Sequence, residues 1–331
     1  MTVRLSAPSA RKLNHQVKLD FSFSILIMVY MNRKLTTPVR YPGGKSRACK
    51  FLMPKTPHGV TEYREPFVGG GSMAFAFSQA NPDAKIWIND LYYNLYCFWT
   101  ALQADPKKFG DEMMAKKLIA EEKGEDGHRA LFAECKDTLA SVDVMNASSR
   151  HRIGQAWWCL NKMSFSGLSE SGTLSKQACA SNFSILQCSK LEAYGHHIKD
   201  WKITNQDYTT LLERSTASTL VFLDPPYDKV GSNGKSILYG KNGEMHKGFN
   251  HLKFYEDCQA ASQKQAGRML ITYDSNPELI ELWKQWYPES WDLTYTMHSG
   301  KNYRENEKKR QELLLSNYNR ESHLATLEFE I

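Results

Sequence analysis

Beyond residue 40, short runs rich in β-branched and aromatic residues alternate with longer stretches whose apolar positions recur at helical spacing. That rhythm predicts an α/β domain with a mainly parallel sheet. The short runs fall at Thr61–Glu65, Lys85–Asn89, Trp201–Thr204, Thr219–Leu223, Arg268–Thr272, Trp291–Met297 and Gln311–Asn317, enough for one twisted sheet of seven strands. The rhythm fails between about residues 105 and 200. There Pro106–Glu122, Asp126–Ala140 and Arg150–Met163 read as helices, and a Ser/Gly-rich segment, Ser164–Ser184, follows them. A strandless stretch of that length reads as an insertion rather than as part of the sheet. The expected division is an N-terminal extension over 1–33, a sheet domain built from 34–104 and 200–320, a mostly helical inserted domain over 105–199, and a C-terminal tail over 321–331.

Composition agrees with a folded chain. Of 331 residues, 41% are apolar and 24% charged, which excludes disordered, collagen-like and disulfide-stapled classes. The cysteines, at 49, 97, 135, 159, 179, 188 and 258, form no C-x-x-C pair and no His/Cys cluster at zinc spacing, so they read as reduced thiols of an intracellular protein. His196-His197 reads as a surface pair for the same reason. No stretch approaches the ~18 apolar residues of a membrane span. Charge is uneven: residues 1–50 hold ten Lys/Arg against the single acid Asp20, so the remainder carries −3 of the overall +6. Any nucleic-acid surface beyond residue 50 must then be a local patch. The apolar run Phe21–Met31 is followed by Asn32-Arg33-Lys34 and not by a small-residue cleavage site. Residues 1–33 therefore read as a dispensable, poorly ordered extension, with Met31 as an alternative start.

Three motifs carry chemistry. In Val221-Phe222-Leu223-Asp224-Pro225-Pro226-Tyr227 an apolar strand runs into Asp and two prolines, which end it in a rigid turn. Open α/β sheets bind ligands at such carboxyl ends. The Asp224 carboxylate and a proline carbonyl together make two acceptors for the hydrogens of an exocyclic amine, and Tyr227 offers a face for stacking. Such a cradle stabilises the positive charge that grows on an amino nitrogen as it attacks. The plainer alternative is an ordinary turn aspartate. The second motif, Tyr63-Arg64-Glu65-Pro66-Phe67-Val68-Gly69-Gly70-Gly71-Ser72, places three glycines between strand and helix, where a ligand approaches the backbone closely. Glu65 there suits a cationic ligand. Asp90 follows the next strand about 20 residues on, where an acid takes ribose hydroxyls, or else caps the helix Leu91–Gln103. The third, Arg40-Tyr41-Pro42-Gly43-Gly44-Lys45-Ser46, is no ATP loop, because Val39 stands where the first glycine belongs and no strand precedes it. The segment Asp228–Phe249, with glycines at 231, 234, 240, 243 and 248, reads as a mobile loop beside the Asp-Pro-Pro-Tyr turn.

Taken in order, Tyr41-Pro42-Gly43-Gly44-Lys45, Glu65 to Ser72, Asn89-Asp90 and Asp224-Pro225-Pro226-Tyr227 resemble the Dam-type DNA adenine-N6 methyltransferases of the D12 class. The resemblance continues in Leu160-Asn161-Lys162, Leu270–Glu278 and Gln311–Tyr318 and covers about residues 35–319. It implies a Rossmann-like S-adenosylmethionine-dependent methyltransferase sheet with an inserted target-recognition domain. By resemblance, Tyr41, Lys45, Asp90 and Asp224 contact the cofactor. Glu65, Phe67, Gly69, Gly70 and Gly71 line its methionine end, and Asp207 approaches its adenine. Asp224, Pro225, Pro226 and Tyr227 hold the target adenine, which is flipped from the duplex. Lys162, Phe165, Ser166, Leu168 and Glu170 fall where the family reads and wedges its site, and Lys301 and Arg304 are candidates for phosphate contacts, or else a solvated loop. Enzymes that read GATC carry an Asn and an Arg in the loop corresponding to Phe165–Glu170. Ser166 and Glu170 stand there instead, and a carboxylate accepts hydrogen bonds but donates none to guanine, so the resemblance does not extend to GATC readout.

The expected partners are S-adenosylmethionine and double-stranded DNA. No metal and no membrane are involved, the assembly is a monomer or weak dimer, and the setting is the cytoplasm of a bacterium or a virus-infected host cell, in a restriction-modification context. Lack of a Pro-Cys motif argues against cytosine-C5 chemistry, which needs a thiolate. Methylation of RNA adenine or of a glutamine amide remains the enzymatic alternative, and a catalytically silent DNA-binding module the non-enzymatic one.

Overall fold

The computed structural model describes residues 34–41, 43–141, 146–226, 249–275, 277–293 and 310–320. All seven expected strands are present among them: β1 (Glu62–Glu65), β2 (Lys85–Asn89), β3 (Lys202–Thr204), β4 (Thr219–Leu223), β5 (Arg268–Asp274), β6 (Glu289–Leu293) and β7 (Arg310–Ser316). They form one sheet in the order β3-β2-β1-β4-β5-β7-β6. The five strands β3 to β5 run parallel, and β7 inserts antiparallel to both β5 and β6. β6 starts two residues earlier than the sequence reading. Its register on β7 pairs Glu289 with Leu314, and the Glu289 carboxylate reaches Lys55 Nζ at 2.8 Å and Arg320 at 3.2 Å. Those partners lie far along the chain, so no local pattern marks the strand's start.

The sheet is apolar on both sides, as a covered parallel sheet must be. Leu220, Phe222, Leu270 and Leu314 face one core cluster, whereas Val221, Leu223, Met269, Ile271, Leu313 and Leu315 face the other. The period-two alternation therefore holds strand by strand, with each fully buried Leu or Ile contributing roughly 1.5–3 kcal/mol. The second face is covered by α11 (His251–Lys264) and α12 (Pro277–Leu282), numbered along the chain, with Trp283 and Trp286. Asn250 caps α11 by accepting from Lys253 N at 2.9 Å.

On the first face lie α1 (Cys49–Leu52), α2 (Ser72–Ala80) and α3 (Tyr93–Ala104), followed by α4 (Pro106–Glu122), α5 (Gly124–Ser141) and α6 (Ala147–Met163). Asp105 caps α4 just ahead of Pro106, and Asn146 caps α6 through Ser149 N, both as the local sequence allows. The segment 164–199 is not irregular throughout: it contains α7 (Lys176–Ser181), α8 (Ile185–Ser189) and α9 (Leu191–His197). A last short helix, α10 (Thr209–Leu212), follows β3. Phe109, Trp157, Trp158 and Phe183 of the helical region share one buried cluster with Phe98 of α3 and with Phe75, Ile88 and Phe222 of the sheet side. The helices of 105–199 are thus packed onto the sheet through α3 and not through a polar linker. His197, read from sequence as a surface residue, is half-buried. Its Nε2 lies 2.8 Å from Ser78 Oγ and its ring packs on Phe75 and Trp201, whereas His196 is exposed.

Candidate active site at the carboxyl edge of the sheet

Parallel strands end on one edge, and here that edge collects carboxylates. The register pairs Glu65 with Ile88 and Arg64 with Val221, so Glu65, Asp90 and Asp224 all lie at or just past the ends of β1, β2 and β4. Glu65 is 3% exposed and accepts from the Tyr63 hydroxyl at 2.7 Å. Burial pushes its carboxyl up to about 8; the hydrogen bond from Tyr63 opposes the rise, and the charges of Asp224 and Asp90 add to it. Asp90 accepts from Gly69 N and from Tyr92 N, each at 2.9 Å. Burial raises it to about 6 against those two bonds. Asp90 does not cap a helix at Leu91, because α3 begins at Tyr93 and has Tyr92 as its N-cap.

Two described donors meet on one oxygen of Asp224. Lys45 Nζ lies 2.8 Å from Oδ1, and Thr272 Oγ1 donates to that oxygen at 2.7 Å. Lys45 is 4% exposed and also donates to Gly43 O at 3.3 Å, so the Gly-Gly turn delivers a buried cation into the carboxylate group. With Glu65 protonated near neutral pH, the Asp90 and Asp224 carboxylates still outnumber Lys45, which favours a positively charged ligand. Thr272, fully buried on β5, lies in the Leu270–Glu278 stretch of the resemblance but is not marked there as a site residue, because it comes to Asp224 only through the pairing of β4 with β5. Pro225 is buried and Pro226 half-buried, which fixes the turn.

The glycine turn is buried and needs glycine for its backbone. Gly69 and Gly71 take φ of 45° and 69°, left-handed values that L side chains avoid. A Cβ on Gly69 would stand 2.7 Å from the Tyr41 ring. The Gly70 carbonyl accepts from Thr37 Oγ1 at 2.6 Å, and the Gly69 carbonyl from Trp99 Nε1 at 3.3 Å. Asn89, also unmarked as a site residue, clasps the turns from below: its Nδ2 donates to Pro66 O at 3.0 Å and Gln206 O at 2.9 Å. Phe67 is half-buried, with its ring 5.4 Å from Tyr208 and 5.7 Å from Phe249. Asp207, just past β3, is exposed, and its Oδ1 accepts from Thr209 N at 3.0 Å and Thr209 Oγ1 at 2.6 Å.

A second group gathers after α6. Asn161 is fully buried and grips Arg40 from both sides, accepting from its N at 2.9 Å and donating to its O at 2.7 Å. The same amide donates to Gly167 O at 3.0 Å. The segment Phe165–Ser171 is two short 3-10 turns with positive φ at Ser166, Gly167 and Ser169. Phe165 is 54% exposed, Ser166 and Leu168 are half-buried, and Glu170 accepts from Tyr92 and Asn94. Lys162 is 4% exposed, with its amine 5.5 Å from the centre of the Trp158 ring; burial and the nearby Arg40 lower it to about 7. Tyr227, Pro42, Lys301 and Arg304, together with most of the 228–249 loop, lie outside the described residues.

A mixed sheet of this order, with β7 reversed, is consistent with the α/β fold of the S-adenosylmethionine-dependent methyltransferases. The D12 class N6 adenine-specific DNA methyltransferase family matches residues 41–312, and the chain belongs to that family. It is 22% identical over 212 residues to the type II methyltransferase M.MjaIII of Methanocaldococcus jannaschii, an alignment covering 61% of this chain and 73% of that protein. It is 20% identical over 285 residues to the type II methyltransferase M1.LlaDCHI of Lactococcus lactis subsp. cremoris, covering 84% of this chain and 94% of that one. Site-specific methylation of DNA adenine is the activity that family and relatives define for the chain. Among the described residues no helix is long and apolar enough to cross a membrane, and no three His, Cys, Asp or Glu side chains are grouped to hold a metal.

Proposed function

We propose that the chain binds S-adenosylmethionine at the edge formed by Tyr41, Lys45, Glu65, Phe67, Gly69–Gly71, Asp90 and Asp207, and methylates N6 of an adenine flipped from duplex DNA. The observation that carries this reading is the placement of Asp224, fixed by Lys45 and Thr272, on the same edge as Glu65, Asp90 and the left-handed glycine turn. The residues fit the cofactor: the carboxylates favour its ammonium and sulfonium charges, and Gly69 and Gly71, with no room for a Cβ beside Tyr41 and Trp99, let the turn pack tightly against the carboxylate edge. When bound, the cofactor supplies an electrophilic methyl group.

The protein's part is to hold the amine. A nucleobase amino nitrogen is a poor nucleophile because its lone pair is delocalised, and the Asp224 carboxylate with a proline carbonyl would accept its two hydrogens and favour a pyramidal nitrogen. Developing positive charge is then met by a preorganised acceptor. Tyr227 would stack on the base. The helical region 105–199 would read the site, with Phe165 and Ser166 at the loop's outer face, and Lys301 and Arg304 would contact phosphates.

The test uses purified chain, cofactor with a labelled methyl group and plasmid DNA, followed by mapping of the modified bases. Label at adenine N6 within one recurring sequence is expected. Label on cytosine, on RNA alone or on protein would overturn the reading.

A further inference from the structure

Glu170 ends the loop that the proposed function turns toward DNA, and a carboxylate there would by itself suit a base amine. The structure commits it elsewhere. Its Oε1 accepts from Asn94 Nδ2 at 2.7 Å, and its Oε2 accepts from the Tyr92 hydroxyl. Both donors stand at the start of α3, 76 and 78 residues away in sequence. Burial, and then the charge of Glu170, hold the Tyr92 hydroxyl well above its usual range, so it stays a donor. The Tyr92 N–H in turn donates to Asp90 Oδ1 at 2.9 Å, and Asp90 Oδ2 accepts from Gly69 N at 2.9 Å. One hydrogen-bonded chain therefore runs from the glycine turn through Asp90 and Tyr92 to the loop. The loop's other end is fixed independently by Asn161, which holds Gly167 O and the backbone of Arg40, next to Tyr41. Both attachments lead to cofactor-side segments. Swinging Glu170 out to a base would leave the half-buried Tyr92 hydroxyl and the Asn94 amide without their acceptor.

We propose that Glu170 is a positioning residue, which clamps the loop Phe165–Ser171 to the Asp90–Asn94 segment and couples the DNA-facing loop to the cofactor floor, and that it does not read a base. This rests on the proposed function only in taking that loop to face DNA. Groups that act as a unit respond alike, so breaking either partner should act in the same direction, more mildly in Tyr92→Phe because Asn94 still donates to Glu170.

The experiment compares Glu170→Ala, Tyr92→Phe and the double variant of the full chain, by mapping methylated sites on plasmid DNA and by hydrogen exchange. The same sequences should be methylated by all three. Turnover should fall roughly five- to fifty-fold, with the double variant no worse than the poorer single one. Amides of 165–171 should exchange several-fold faster in both single variants. Relaxed choice at one base pair in Glu170→Ala, with the parental choice kept in Tyr92→Phe, would show Glu170 to be a base reader and overturn the proposal. So would unchanged loop exchange in both. If Glu170→Ala fails to fold, Tyr92→Phe, which loses only a hydroxyl, decides through the exchange readout. A parent chain that methylates no DNA adenine would sink the proposed function, and loop exchange would still judge the clamp.

Discussion

Glu65 concentrates the electrostatics of the site in one residue. It is buried beside two further carboxylates, and its proton is held to about pH 8 instead of the ordinary 4.5. A carboxyl raised in this way contributes stability that is fully present below about pH 4.5 and is lost as pH rises through about 8. Replacing it with a neutral amide removes that loss. In the ligand-free chain, the melting temperature of Glu65→Gln relative to the parent should therefore climb from about pH 4.5 to about pH 8 and level off above it, and thermal melts across that window check it. A constant gap would contradict the burial of a titrating Glu65. At this scale the sequence was legible wherever a carboxylate ends a strand, because Glu65, Asp90 and Asp224 each follow a short apolar or aromatic run. Thr272 and Asn161 were not legible as site residues. One reaches Asp224 across a strand pairing and the other reaches Arg40 across 121 residues, and neither relation leaves a local pattern.

Among elements, the turn between β1 and α2 has the narrowest tolerance. Gly69 combines a left-handed φ of 45° with a Tyr41 ring 2.7 Å from where a Cβ would stand. An alanine there costs about 1–2 kcal/mol in backbone strain alone and displaces Tyr41. Gly69→Ala should weaken S-adenosylmethionine binding about ten-fold or more, measured by calorimetry, while circular dichroism shows the sheet intact. Unaltered affinity would mean that the turn does not face the cofactor. The central strands were read to within a residue or two because a covered parallel sheet demands unbroken apolar runs such as Thr219–Leu223. The edge strand β6 was misplaced by two residues, since its half-exposed pattern is set by pairing with β7 and by the ion pairs of Glu289. The clamp at Glu170 belongs to this scale too. It ties a 3-10 turn to a helix start, and only the packing of α6 against α3 brings the two together.

For the whole molecule, the sheet order makes function follow from topology. Placing β1 and β4 side by side at the centre sets the glycine turn and the Asp-Pro-Pro turn on adjacent strand ends, and β5 on the far side of β4 supplies Thr272. The alternation of strand and helix announced such a sheet, and the strandless middle announced a helical region. How that region attaches was not legible, because Trp157, Trp158 and Phe183 join a core that also takes in Phe75, Ile88 and Phe222 of the sheet side. On the proposed function, this arrangement serves to present the Asp224 carboxylate to an amino group. Single-turnover methyl transfer to duplex DNA, with cofactor and DNA both saturating, tests it most directly in the parent and in Asp224→Ala. The rate in the variant should fall by about 10²–10³-fold or more with the fold unchanged. A rate within about ten-fold of the parent would contradict it.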